Sequence, residues 1–376
     1  MKCVSSTIDS NLVSFNSNSN TMRIVICWSD ISGYMAACFR ELASRPDIDL
    51  KVIAWASGRR GSQAAFEDRL TAGFSCRLLE PEERDNFTTI RNEVIAYRPD
   101  AVLLCGWFVD AYRRLPRDRE LTKVRFSMGM DTPWWGTPRQ YLAKWKVGSF
   151  VRKMHCVIVT GERSWQYAIR LGVGRSRIRR GMYGVDYDLL AETFSTRSAD
   201  GWPKSFLFAG RYAPEKGLDI LLEAYRNYRR RCAESQSNPW SLICCGQGPL
   251  ASMLSGKEPE GVTDLGFQQP KEMLRRFTES GVLVLPSLFD PWPLILVESC
   301  AAGLPVIASD ACGSAVEMLR PHHNGWIVAS GEPRSLGNAL WEASQSNQLP
   351  SFGKRSQCFA DAYSASKWAD RMGDWL

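Results

Sequence analysis

The stretch that most constrains this chain runs from Gly281 to Asp310, with the sequence GVLVLPSLFDPWPLILVESCAAGLPVIASD. Val282 to Leu285 is a short apolar run, as a strand buried on both faces requires, and Pro286 breaks it. Pro291 and Pro293 suit a loop and a first helical turn, where a missing N–H costs nothing. Leu294 to Ala302 predicts a helix, Gly303 ends it, and Pro305 to Ala308 starts the next strand. Two carboxylates frame the piece, Asp290 in the loop and Glu298 in the helix. The N–H groups of Leu294 and Ile295 belong to a first helical turn, which leaves them open and favours an anion. The residues alone admit two readings: a ligand site, or an ordinary βαβ unit with two solvated acids.

The chain has 376 residues, too many for one core and suited to two α/β domains. No run of apolar residues is long enough to span a bilayer. Residues 1–20 are rich in Ser and Asn and lack an apolar core, which predicts a disordered leader rather than a signal peptide. Of twelve Cys, several sit in apolar runs (Cys27, Cys105, Cys156, Cys244, Cys245), and no Cys-x-x-Cys occurs. Reduced, buried thiols of a cytoplasmic protein are the expectation. Charge is uneven: residues 1–190 hold 29 Lys and Arg against 20 Asp and Glu, and residues 191–376 hold 18 against 20. The basic half suits an anionic partner, such as a lipid surface, a phosphorylated carrier or nucleic acid, or is simply a solvated face.

Strands are expected at Met22–Trp28, Leu50–Trp55, Ala101–Cys105, Val124–Ser127 and Cys156–Thr160. Helices are expected at Tyr34–Ala43, Gln63–Leu70, Thr88–Tyr97, Phe108–Leu115 and Glu162–Leu171. The first strand, a loop ending in Gly33 and a helix open a Rossmann-like domain. A loop at 128–136 sets Asp131 beside Trp134 and Trp135, which suit a sugar face, a membrane interface or local packing. Residues 138–154 are amphipathic: Tyr141, Leu142, Trp145, Phe150 and Met154 alternate with Arg139, Lys144, Lys146, Arg152 and Lys153. Such a stretch lies on an anionic membrane or buries one face in its domain. Residues 187–204 are polar and read as a linker. The second domain opens with the strand Ser205–Ala209, then Gly210-Arg211-Tyr212-Ala213-Pro214-Glu215-Lys216-Gly217. Gly246-Gln247-Gly248-Pro249 follows the strand Leu242–Cys245, and Leu265-Gly266-Phe267 lies beyond it.

This order of motifs resembles the retaining glycosyltransferases of the GT4 group, which have the GT-B fold: two Rossmann-like α/β domains facing each other across a cleft. Members carry Gly-Arg, then Glu-Lys-Gly, then Gly-x-Gly-Pro, then two acids separated by seven residues, then Gly-x-Pro-Val. Here the acid pair is Asp290 and Glu298, with Asp where the family has Glu, and Gln247 stands where Asp is usual. The resemblance implies domains at 21–186 (acceptor side) and 205–355 (nucleotide-sugar side), with residues 356–376 returning to the first. It implies that Arg211 and Lys216 grip the donor diphosphate, Asp290 the donor sugar and Glu298 the ribose. Asp131 stands where relatives often carry a His that reaches the cleft. Gly33, Gly210, Gly246, Phe267, Leu294 and Ile295 would complete the donor site. A nucleotide-sugar donor and a glycan, lipid-linked or small-molecule acceptor are implied, with possible contact to an anionic membrane. A nucleic-acid partner is not expected.

Two Asp-x-Asp triplets, Asp47–Asp49 and Asp186–Asp188, lack the placement after a strand that a metal pair needs and read as turns. The three His are poorly spaced for a metal. No metal is expected. Two other functions stay open: a GT-B nucleotide-sugar 2-epimerase, and a catalytically weak subunit supporting a partner.

Overall fold

The computed structural model describes residues 21–56, 68–199, 201–254 and 260–376. Residues 1–20, expected as a leader, and most of the expected helix Gln63–Leu70 lie outside the described residues; Asp68–Thr71 is a single 3₁₀ turn.

Two parallel sheets organise the chain. The first contains β1 (Met22–Cys27), β2 (Ile48–Trp55), β3 (Ser75–Leu79), β4 (Ala101–Leu104), β5 (Arg125–Met130), β6 (Val157–Val159) and β7 (Ile178–Arg180), in the order β3-β2-β1-β4-β5-β6-β7. The second contains β8 (Ser205–Ala209), β9 (Ser241–Cys245), β10 (Val262–Asp264), β11 (Val282–Leu285), β12 (Val306–Ser309) and β13 (Gly325–Val328), in the order β10-β9-β8-β11-β12-β13. In both, the order reverses beside the first strand. That is where a doubly wound sheet leaves a crevice at the carboxyl ends of its strands. The central strands β4, β8, β11 and β12 are buried along their whole length, which is why they read as unbroken apolar runs.

Several boundaries differ from expectation. β5 continues through Met128, Gly129 and Met130, which read as loop. A Cβ on Gly129 would stand 2.5 Å from the end of the Met182 side chain. The polar segment after 186 is not a plain linker. Tyr187–Ala199 is a helix whose buried Arg197 donates to the carbonyls of Phe277, Ala302 and Gly303. Burial of this guanidinium lowers its pKa to about 10. Three main-chain carbonyls hold the helix to the second domain.

The C-terminal helix Ala365–Trp375 crosses back to the first domain. It packs on the helix Gly33–Ala43 with Trp368 fully buried, in edge contact with Phe39 and donating its indole N–H to the Met182 carbonyl at 2.8 Å. The domains also meet across the cleft. Glu317 accepts the N–H of Glu162 at 2.6 Å, and Arg163 donates to the Asp310 carbonyl at 2.6 Å. Trp135 lies against Phe289, ring centres 5.3 Å apart. Gly161 has no room for a side chain, because a Cβ would fall 2.4 Å from Trp292.

Candidate active site

A cleft of about 970 Å³ separates the domains and is lined by the ends of strands from both sheets. On its C-terminal wall two loops far apart in sequence are stapled together. Leu288 and Phe289 donate their N–H groups to the Glu215 carbonyl at 2.8 and 3.1 Å. Gly217 adopts φ +68, and a Cβ there would stand 2.4 Å from the Pro286 carbonyl oxygen, so only glycine lets the two loops close. This contact brings Lys216 and Asp290 together: Nζ lies 2.6 Å from Oδ2. Arg211 pairs with Glu215 across the same loop. Both cations are therefore held in place by carboxylates.

Asp290 is only 7% exposed. Burial pushes its carboxyl up, while Lys216 pulls it back. Its main chain is fixed as well, the carbonyl accepting Gly313 N–H at 2.9 Å. Glu298, one turn into the helix Leu294–Ala301, has no cation to offset its burial, which raises it to about 7. The N–H groups of Leu294 and Ile295 make no helical bond, and both residues line the cleft. Two cations, a helix N-terminus and two carboxylates thus converge on one wall. That set suits an anionic diphosphate with a polyhydroxy group on either side.

The glycines serve closeness more than contact. Gly246 passes so near Gly210 that a Cβ would meet its carbonyl oxygen at 1.9 Å. Gly210 itself opens onto the cleft, with nothing within 4 Å of a Cβ there. Phe267 and Gly33 line the cleft too. Gly33 begins its helix against Pro270 of the other domain, where a Cβ would stand at 3.2 Å.

Asp131 lines the N-terminal wall and accepts from the Tyr183 hydroxyl at 3.3 Å. Its side chain meets the open cleft, yet the walls around it push its carboxyl up. Its neighbours Trp134 and Trp135 are not part of the lining. The side chain of Gln140 donates to the Pro133 carbonyl at 2.6 Å and accepts Trp135 N–H at 2.8 Å, turning the loop outward after Thr132. Trp134 lies against Tyr141 and beneath Arg170 instead. Of the Asp-x-Asp pairs, Asp186 lines the cleft, and Asp188 opens the helix after it. Sequence reasoning passed over Asp30, Tyr34, Trp107, Phe108 and Trp292, all of which line the cleft. Asp30 stood in a loop already marked, but nothing in its spacing set it apart.

Two facing parallel α/β domains with this cleft define a GT-B fold. Residues 192–358 match the model of the family "Glycosyl transferases group 1". Among curated relatives, the amylovoran biosynthesis glycosyltransferase AmsK of Erwinia amylovora is 27% identical over 197 residues, 49% of this chain and 46% of that protein. The D-inositol 3-phosphate glycosyltransferase of Streptomyces coelicolor is 30% identical over 171 residues, 42% of this chain and 36% of that protein. The chain spans about half or less of the length of the first such relatives. Among solved structures, Anabaena HepE in complex with UDP and glucose superposes with a TM-score of 0.69 at 16% identity, covering 94% of this chain and 98% of that one. The sucrose-phosphate synthase of Thermosynechococcus elongatus gives 0.71 at 15% identity, covering 94% and 98%. At such identities these two structures speak for the fold alone.

Proposed function

We propose that the chain is a retaining glycosyltransferase that moves a sugar from a nucleotide-sugar to a glycan or lipid-linked acceptor. The observation that carries this reading is the Lys216–Asp290 pair at 2.6 Å, set in the cleft beside Arg211 and the open helix N-terminus. The donor diphosphate would bind Arg211, Lys216 and the N–H groups of Leu294 and Ile295. Charge gathers on the leaving phosphate as the glycosidic bond breaks, and fixed cations in a closed cleft stabilise it. Lys216 then turns from Asp290 towards phosphate, freeing the carboxylate to accept hydroxyls of the donor sugar. Glu298 accepts from the ribose. The acceptor hydroxyl attacks from the face the leaving group occupies, and the departing phosphate takes its proton. Asp131 orients the acceptor. No step calls for a metal, since side-chain cations do the neutralising. HepE, whose structure holds UDP and glucose, supports a uridine nucleotide-sugar as the first donor to try.

The same reading extends to a membrane. The helix Pro138–Lys146 buries none of its residues, and Tyr141, Leu142 and Trp145 stand 64%, 67% and 84% exposed beside Arg139, Lys144 and Lys146. An apolar face with basic flanks in open solvent suits an anionic lipid surface. No helix among the described residues is long and apolar enough to cross a membrane. Nucleotide release from a panel of nucleotide-sugars, with and without acceptor extracts, tests the transfer. Release in proportion to glycosylated product supports it. An altered nucleotide-sugar with no acceptor needed would favour the epimerase instead.

A further inference from the structure

The two walls of the cleft differ in chemistry. The C-terminal wall offers three cations, Arg211, Lys216 and Lys271, beside Asp290 and Glu298. On the N-terminal wall, the charged groups that line the cleft among the described residues are Asp30, Asp131 and Asp186 against Arg40, and the buried Arg84, which donates to the Ala56 carbonyl, acts on Asp30 as well. Arg40 is turned to the Leu70 carbonyl at 3.4 Å. The positive surplus of the first half thus lies elsewhere, in good part on the helix Pro138–Lys146 and the strand β7. A phosphate brought against this wall would face carboxylates in a confined space, and like charges so placed select against a ligand.

The wall is aromatic instead. Trp28, Tyr34, Trp107 and Phe108 line it. Phe108 is 62% exposed although it is a large apolar side chain within a cleft. Its ring is nevertheless held. Trp55 meets it edge-on at 6.3 Å, and a Cβ on Gly106, at φ +158, would stand 3.1 Å from it. Trp107 is buttressed in the same way by Tyr167, at 6.2 Å. Rings fixed from behind, with a face towards a cleft, match the C–H face of a pyranose. A carboxylate alongside accepts hydroxyl protons. Asp30 provides it from the loop after β1, where it lines the cleft and feels the charge of Arg84.

We infer that this wall is the acceptor subsite and that it takes an uncharged sugar ring, with Phe108 and Trp107 as the stacking face and Asp30 as hydrogen-bond acceptor. The inference rests on the transfer reading above and narrows it. The reacting end of the acceptor is a neutral sugar, and any phosphate it carries lies away from the cleft.

The test is equilibrium binding to the full chain in the presence of UDP, followed by protein fluorescence. The probes are maltose, cellobiose and lactose against glucose 6-phosphate and mannose 6-phosphate. A neutral sugar should bind, with the sugar phosphates failing to displace it. Phe108→Ala should weaken that binding about tenfold or more, the loss of one stacked ring, with UDP affinity unchanged. Asp30→Lys should reverse the preference towards the sugar phosphates. Tighter binding of a sugar phosphate than of the neutral sugars, or no neutral sugar bound at tens of millimolar, overturns the inference. UDP, ADP and GDP titrated alone separate the two readings. Failure to bind any of them counts against the transfer itself, whereas nucleotide binding with a preference for sugar phosphates counts only against the neutral subsite.

Discussion

Replacing Lys216 with Ala should separate the ion pair's structural role from its chemical one. Asp290 is 7% exposed, and its Oδ2 lies 2.6 Å from the ammonium. Breaking a fully buried pair by removing one partner costs about 3–5 kcal/mol. The Lys216 side chain keeps 24% of its exposure, so water in the cleft screens part of this, and roughly 1–3 kcal/mol is the expected loss. Burial already raises the Asp290 carboxyl against the pull of Lys216, so without the lysine it rises further. A folded-state pKa above the unfolded one gives stability that is present at low pH and lost as pH rises, so the variant's deficit should be larger at pH 8 than at pH 5. The rate effect is separate. A cation acting on charge that develops in the transition state is worth about 10²–10³ in kcat, or 2.7–4 kcal/mol. Urea unfolding at both pH values and nucleotide release give the two quantities. The double variant Lys216→Ala/Asp290→Asn should recover most of the stability and none of the rate. If Lys216→Ala turned over donor at the wild-type rate, or the double variant regained it, the diphosphate role would be wrong and the pair merely structural.

Three further outcomes are expected. Glu298, raised from 4.5 to about 7 by burial, contributes stability that is full below about pH 4.5 and lost as pH rises through about 7. Glu298→Gln should therefore be more stable relative to wild type at pH 8 than at pH 5, by up to roughly 3 kcal/mol in urea unfolding, while losing UDP binding. Excess chelator should leave turnover unchanged; loss that Mg²⁺ or Mn²⁺ restores would return attention to Asp186 and Asp188. The protein should float with anionic vesicles at low salt, and charge reversal at Lys144, Lys146, Arg152 and Lys153 should release it, each cation being worth about 1 kcal/mol near such a surface. Protein left at the bottom of the gradient would make the exposed helix an ordinary solvated one.

What was legible in the sequence follows the physics of burial. β8, β11 and β12 announce themselves because both faces are covered. β3, β7 and β10 do not, for they close or edge their sheets: Ile178-Arg179-Arg180 and Val262-Thr263-Asp264 carry polar residues on the open side. The C-terminal half of the site was readable because its parts sit in short segments with fixed spacing, such as Arg211 to Lys216. The pairing of Lys216 with Asp290 was not, since it depends on Gly217 closing against Pro286 from another βα loop. On the N-terminal wall, Phe108 and Asp30 come from different loops and share no local pattern. Trp134 and Trp135 misled because a loop's direction was set by Gln140, a polar helix residue whose two hydrogen bonds leave no trace in composition. Residues 187–199 misled for the same reason, their helix being held by one buried arginine against three carbonyls.

The central claim, transfer with retention from a nucleotide-sugar held by the C-terminal wall, is tested most directly by the anomeric proton of the product. UDP-glucose, an α-linked donor, is incubated with the protein and acceptor extract, and the new linkage is followed by NMR as UDP appears. An α-linked product that disappears in Lys216→Ala is the predicted result. A β-linked product, or release of UDP that is the same in wild type and Lys216→Ala, would contradict it.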